Sequence, residues 1–188
     1  MARFIFSSIS LLLTSLALGQ MTTTRPAQWA KPLVVEGVPN LHRVSAQLYR
    51  SAQPTAQGMA NLEKLGIRTV VNLRTFHSDA ELVKGTKLAC VSIPMQVWYP
   101  EFRDAVKFLK IVSDTSKTPV LVHCQHGADR TGTLVAVYRA AVQGWSKEQA
   151  IEELCRGGFG YHRLWRNLPA WFRKLDIAKL RREAGIRY

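Results

Sequence analysis

The chain has 188 residues, with 26 Lys and Arg against 13 Asp and Glu and a formal net charge of +13. That length suits one domain with a real core. Beyond the first nineteen residues no stretch is long and apolar enough to cross a bilayer, which excludes a polytopic membrane protein, and the basic excess favours anionic substrates or surfaces through long-range steering.

Residues 1–19 read as an export signal, with Arg3 as the charged start and Phe4 to Leu18 largely apolar. Ala17-Leu18-Gly19 fits a small-x-small cleavage pattern that leaves Gln20 as the new N-terminus. Ser7, Ser8, Ser10, Thr14 and Ser15 interrupt the apolar run, so a cleaved signal is favoured over a membrane anchor. The chain is expected to work in the periplasm or outside the cell. Export, and the lack of an aromatic-basic recognition motif, argue against nucleic acid as a partner. Of the three cysteines, Cys90 and Cys155 fall in an expected strand and an expected helix, where pairing and simple burial are both open. No zinc spacing is present, so neither metal nor cofactor is expected.

Residues 20–39 mix Thr, Pro, Gln and Gly without a sustained period and read as an arm before a domain over 40–188. Asn40 to Arg50 carries two short extended pieces. Thr55 is placed to cap a helix through Met59, Leu62 and Leu65 that Gly66 ends. Ile67 to Leu73 reads as a strand with Arg74 at its end, where it either holds a substrate's anionic periphery or is solvated. Ser78 to Lys84 suggests a helical turn, and Leu88 to Ile93 a further strand. Pro100 fits the first turn of a helix carrying Phe102, Val106, Phe108, Leu109 and Val112. Strands alternating with helices predict an α/β fold, a mainly parallel sheet of about four to five strands flanked by helices.

Pro119 to Val122 is a short buried strand, and Thr131 to Val142 a buried helix. Between them lies His123-Cys124-Gln125-His126-Gly127-Ala128-Asp129-Arg130. A cysteine at a strand's end, five residues, an arginine and then a helix make an anion cradle. Backbone N–H groups and the helix N-terminus supply donors and positive charge, Gly127 permits an unusual backbone conformation, and Arg130 can grip two oxygens at once. In that field Cys124 is expected to be held as a thiolate, a nucleophile beneath a bound phosphate. Further on, Ser146 opens a helix with Gln149 placed for a capping box. The tail from Arg163 to Tyr188 has Leu164, Trp165, Leu168, Trp171, Phe172, Leu175, Ile177 and Leu180 at helical intervals for the core. Arg173, Lys174, Lys179, Arg181 and Arg182 are expected to face water, with weak attraction to anionic membrane surfaces.

His123 to Gly132, as His-Cys-x5-Arg-Thr-Gly, resembles the signature of cysteine-dependent tyrosine and dual-specificity phosphatases. Leu48-Tyr49-Arg50-Ser51-Ala52-Gln53-Pro54 is similar to a segment near the start of atypical bacterial members. Val137-Tyr138-Arg139, Gln143-Gly144-Trp145 and Gly157-Gly158-Phe159-Gly160 resemble segments of exported members, so the likeness runs from about Asn40 to Asp176. The resemblance implies hydrolysis of phosphotyrosine, with phosphoserine or phosphothreonine in addition, through a phosphocysteine on Cys124. It implies that Arg130 binds the phosphoryl oxygens, that Thr131 donates its hydroxyl to the thiolate, and that His123 orients the loop. The amides of Gln125, His126, Gly127, Ala128, Asp129 and Arg130 are expected to line the cradle, with His126 touching only the rim.

The family's usual acid is an Asp between the third strand and the next helix, yet Met95 to Glu101 contains none. Asp129 ranks first as the substitute, by similarity to lipid-directed phosphatases with Asp-Arg-Thr in the loop; Asp104 and Glu101 follow. Alternative readings are a phosphoinositide or inositol-polyphosphate phosphatase, a rhodanese-like sulfurtransferase, and a non-catalytic phosphate-binding module. The partner expected in each phosphatase reading is a phosphomonoester, carried by a protein in the first.

Overall fold

The computed structural model describes residues 25–187. The expected export segment, the first part of the arm and Tyr188 lie outside the described residues. The elements in chain order are β1 (Lys31–Pro32), β2 (His42–Arg43), β3 (Leu48–Ser51), α1 (Ala56–Lys64), β4 (Thr69–Asn72), β5 (Ala89–Ser92), α2 (Phe102–Val112), β6 (Val120–His123), α3 (Asp129–Ala141), α4 (Lys147–Arg156), α5 (Asn167–Lys174) and α6 (Ile177–Ala184).

The strands form one sheet of order β1-β2-β3-β6-β4-β5. β3, β6, β4 and β5 run parallel, while β1 and β2 add an antiparallel edge of two-residue strands. The sheet thus has six strands where four to five were expected, and the α/β class stands. Its alternation is legible residue by residue. Leu48, Val71, Val120 and Val122 point to one face, packed with Phe108, Leu109, Leu134, Val137, Leu168 and Phe172. Tyr49, Val70 and Leu121 point to the other, against Met59 and Leu62 of α1. Successive side chains along a strand face opposite ways, so a run apolar at every position needs cover on both sides. α3 is buried around nearly its whole circumference, which explains its continuous apolar sequence.

The local caps are as expected: Thr55 accepts from Gly58 N, and Ser146 and Gln149 form a reciprocal capping box. Ser78 to Lys84 holds the expected helical turn, with Leu82 N and Val83 N donating to Asp79 O at 2.9 and 3.1 Å. Other expectations are corrected. Pro100 stands outside its helix, because Glu101 is the N-cap and Phe102 the first helical residue. The described part of the arm belongs to the fold. β1 pairs at the sheet edge, and the Ala30 N–H donates to Glu153 Oε1 at 2.6 Å. Glu153 also takes Arg139 Nε and Nη2, each at 2.7 Å, and that guanidinium lies 4.2 Å from the centre of the Trp145 ring.

The tail is two helices, parted at Leu175 and restarted by Asp176, whose side chain accepts from Lys179 N. Leu168, Phe172 and Leu180 reach the core as expected, but Leu164 is 80% exposed. Arg181 does not face water alone. It donates to the carbonyl oxygens of Ala141 at 2.7 Å and Ala140 at 3.1 Å, completing acceptors that the end of α3 leaves open. Cys90, Cys124 and Cys155 are all free thiols.

Candidate active site

The register sets Ser51 at the end of β3 and Asn72 at the end of β4 on either side of His123. Cys124 therefore emerges at the carboxyl edge of the sheet, where open α/β sheets take ligands, and it is 2% exposed. The loop after it is held by its carbonyls. Gln53 N donates to Gln125 O at 3.2 Å, and Asn40 Nδ2 to His126 O at 2.9 Å. Arg50 Nη2 donates to Gly127 O at 2.7 Å and to Ala128 O at 3.4 Å. In a peptide plane the carbonyl and the next N–H point opposite ways, so a carbonyl tied outward turns the amide of the following residue inward. Among the described residues no acceptor takes the amides of Gln125, His126, Gly127 or Ala128.

Gly127 makes the curve possible. It sits at φ +69°, and a Cβ there would lie 2.4 Å from Ser51 O. The close approach of the loop to β3 excludes any side chain. Arg130, in the first turn of α3, donates from Nη1 to Leu73 O at 3.3 Å, so its guanidinium spans from the helix to the end of β4. The α3 N-terminus adds its partial positive charge to the same bowl. Thr131 Oγ is buried and has no partner among the described residues.

His123 is fully buried. Nε2 lies 2.7 Å from Asp79 Oδ2, and Nδ1 lies 3.3 Å from Cys124 O. Asp79 also accepts from Gln53 Nε2 at 2.9 Å and lies 3.3 Å from His77 Nε2. Burial opposes ionisation of Asp79, but the hydrogen bond and charge of His123, with Gln53 and His77, outweigh it and hold the carboxyl below its usual range. Arg74, expected on the rim, is partly buried and bonded to Gln53 Oε1 at 2.9 Å, so it extends this network.

The three candidate acids separate. Asp129 is 7% exposed, and both its oxygens are taken by His162: Oδ1 by the backbone N at 2.9 Å, Oδ2 by ring Nδ1 at 2.8 Å. Asp104 is buried on α2, and burial, followed by the charge of Glu101, pushes its carboxyl up. Glu101 is paired with its neighbour Arg103 at 2.7 Å. Among the described residues, hydrogen bonds and ion pairs do not link Asp104 or Glu101 to the loop. The ring of His126 stands 5.4 Å from that of His162.

Four residues of the site escape a sequence reading. Arg50 lies inside the Tyr-Arg-Ser segment, but nothing in that segment marks it as holding the loop. It is 0% exposed, with Phe159 3.6 Å beneath its guanidinium, and burial draws its pKa down to about 10 despite the charges of Glu153 and Cys124. Asn40, Asp79 and His162 lie 86, 44 and 33 positions from their loop partners, and no local pattern marks them.

A parallel sheet that delivers a cysteine into a ring of inward amides, with an arginine closing the far side from a helix N-terminus, defines a cysteine-dependent phosphatase. The comparisons agree with that class. Residues 35–162 match the family described as DSP-PTPase phosphatase fused to NAD+ kinase, and the chain belongs to this dual-specificity phosphatase family. It is 37% identical to the dual specificity protein phosphatase TpbA of Pseudomonas aeruginosa strain UCBPP-PA14, over 84% of this chain and 71% of that one. The crystal structure of P. aeruginosa TpbA aligns with a TM-score of 0.76 at 36% identity, covering 86% of this chain and 99% of that one. The core catalytic domain of the PP-IP phosphatase SIW14 from S. cerevisiae, in complex with citrate, aligns with a TM-score of 0.71 at 25% identity, covering 81% of this chain and 94% of that one.

Proposed function

We propose that this chain hydrolyses phosphotyrosine, with phosphoserine or phosphothreonine in addition, outside the cytoplasm. Cys124 Sγ attacks phosphorus, the ester oxygen leaves with a proton, and the enzyme carries a phosphocysteine. Water then attacks phosphorus, releases inorganic phosphate and restores the thiolate. The amides of Gln125 to Asp129 and the guanidinium of Arg130 hold the phosphoryl oxygens, whose charge grows and shifts through the transition state. Thr131 Oγ, buried without a partner among the described residues, supplies a hydroxyl for the sulfur as it leaves.

Both oxygens of Asp129 are engaged by His162, so the acid role is given to the two residues together. The proton is assigned to the pair: Asp129 holds Nδ1–H, which leaves His162 Nε2 to carry the transferable proton. Support for substrate comes from TpbA, solved in complex with pTyr as a form with one cysteine replaced by serine, which aligns at 35% identity with a TM-score of 0.75. Support for export is the apolar segment before Gln20.

The observation that carries the proposal is the set of loop carbonyls pinned outward, because it forms the cradle before any ligand arrives. An aryl phosphate assay of the chain from Gln20 tests it. The expected result is a burst of phenol release followed by turnover, both lost in Cys124→Ser. Thiosulfate:cyanide sulfur transfer without phosphate release would install the sulfurtransferase reading. A panel of phosphotyrosine peptides, phosphoserine peptides and phosphoinositides then separates protein from inositol substrates.

A further inference from the structure

A second concave site lies between α4 and α5 and the connection that joins them. The cleft has a volume of about 400 Å³, and its lining includes Cys155 and Arg156 of α4, Tyr161, Arg163 and Arg166 of the connection, and Arg173 of α5. Four of its eight lining residues are arginines and none is acidic. Arg156 has a distant i,i+4 partner, Glu152 at 3.9 Å, whereas Arg163, Arg166 and Arg173 have no ion pair among the described residues. Like charges gathered in one depression repel, and no acidic residue in the lining offsets that repulsion. The Tyr161 hydroxyl is turned to Trp165 O at 2.7 Å.

The chemistry of the lining selects the ligand. Guanidinium groups present planar pairs of donors that match the oxygens of phosphate, and the cleft uses arginine throughout where lysine would give only a point charge. Its volume falls in the range of pockets that hold small ligands. Its position couples it to catalysis. Tyr161 forms its wall, and the next residue, His162, holds Asp129 at the start of the helix that closes the bowl. Two anion-binding places are therefore joined by consecutive residues.

We propose that this cleft is a second phosphate subsite, holding one phosphate of a multiply phosphorylated substrate while another reacts at Cys124. The proposal rests on the phosphatase reading. It predicts that a substrate with two phosphates is preferred over its singly phosphorylated form by about tenfold in kcat/KM, mostly through KM.

The test uses Arg163→Gln/Arg166→Gln, a double variant of exposed residues outside the catalytic loop. Turnover of a small aryl phosphate is expected to stay unchanged, while the preference for doubly phosphorylated peptides over singly phosphorylated ones disappears. A preference that survives in the variant, or that is absent from the parent chain, overturns the proposal. A second measurement does not depend on turnover. Calorimetric titration of inorganic pyrophosphate into the Cys124→Ser chain should show two sites, and one site when both arginines are replaced as well. One site in both overturns the second subsite, while loss of aryl phosphatase activity in the parent chain would instead remove the catalytic reading.

Discussion

Asp79 Oδ2 lies 2.7 Å from His123 Nε2 with both side chains out of solvent, so a carboxylate 44 positions upstream clamps the residue that precedes Cys124. The same carboxylate receives Gln53, whose backbone N–H holds the loop at Gln125 O. One buried charge thereby orients β6 and one wall of the bowl.

Asp79→Asn keeps the shape and removes the charge. Because the folded-state carboxyl sits below its usual range, its contribution is fully present above the unfolded-state pKa and is lost as pH falls through the folded one. Urea unfolding should therefore find the variant less stable by about 1–3 kcal/mol at pH 7. That gap should close as the pH is taken below the ordinary carboxylate range. A gap of equal size above and below that range would show that the charge is not what matters.

Arg50 supports the loop from beneath through Gly127 O and Ala128 O. Arg50→Met preserves much of the packing on Phe159 and removes both hydrogen bonds. With a charged hydrogen bond worth about 1.5–3 kcal/mol, kcat/KM on an aryl phosphate should fall roughly ten- to a hundredfold. Oxyanion inhibitors such as vanadate should weaken in parallel, since ground and transition states share the cradle. Unchanged vanadate affinity beside a large loss of kcat would place Arg50 elsewhere in the mechanism.

The Asp129–His162 pair is tested by the leaving group. Asp129→Asn and His162→Gln should each slow a phenyl phosphate, whose phenolate needs protonation, by at least about tenfold more than a nitrophenyl phosphate that does not. The two single losses should not add in the double variant, because the pair acts as one unit. Equal losses on both substrates would send the acid role back to Asp104 or Glu101.

The parts of the fold that follow from neighbours along the chain are open to a sequence reading. Thr55 and the Ser146–Gln149 box bond within three residues. The apolar stretches at Val70–Val71 and Val120–Val122 need cover on both faces, which a parallel sheet flanked by helices supplies. The five-residue gap from Cys124 to Arg130 is likewise a local constraint. Contacts made across the molecule are not legible in this way. Arg181 reads as a surface cation because its helical period puts it on a polar face; the end of α3 supplies the acceptors that draw it in. The described part of the arm reads as irregular because two-residue strands have no period to detect.

The sequence alone placed Cys124 and Arg130 at the two ends of one strand–loop–helix cradle and set the α/β scheme, since each depends on a spacing that backbone geometry must obey. Only the tertiary structure decided which distant groups hold the bowl open and which carboxylate is occupied. Asn40, Arg50, Asp79 and His162 meet the loop through chain closures of many residues, and such pairings arise from global packing that no local pattern encodes.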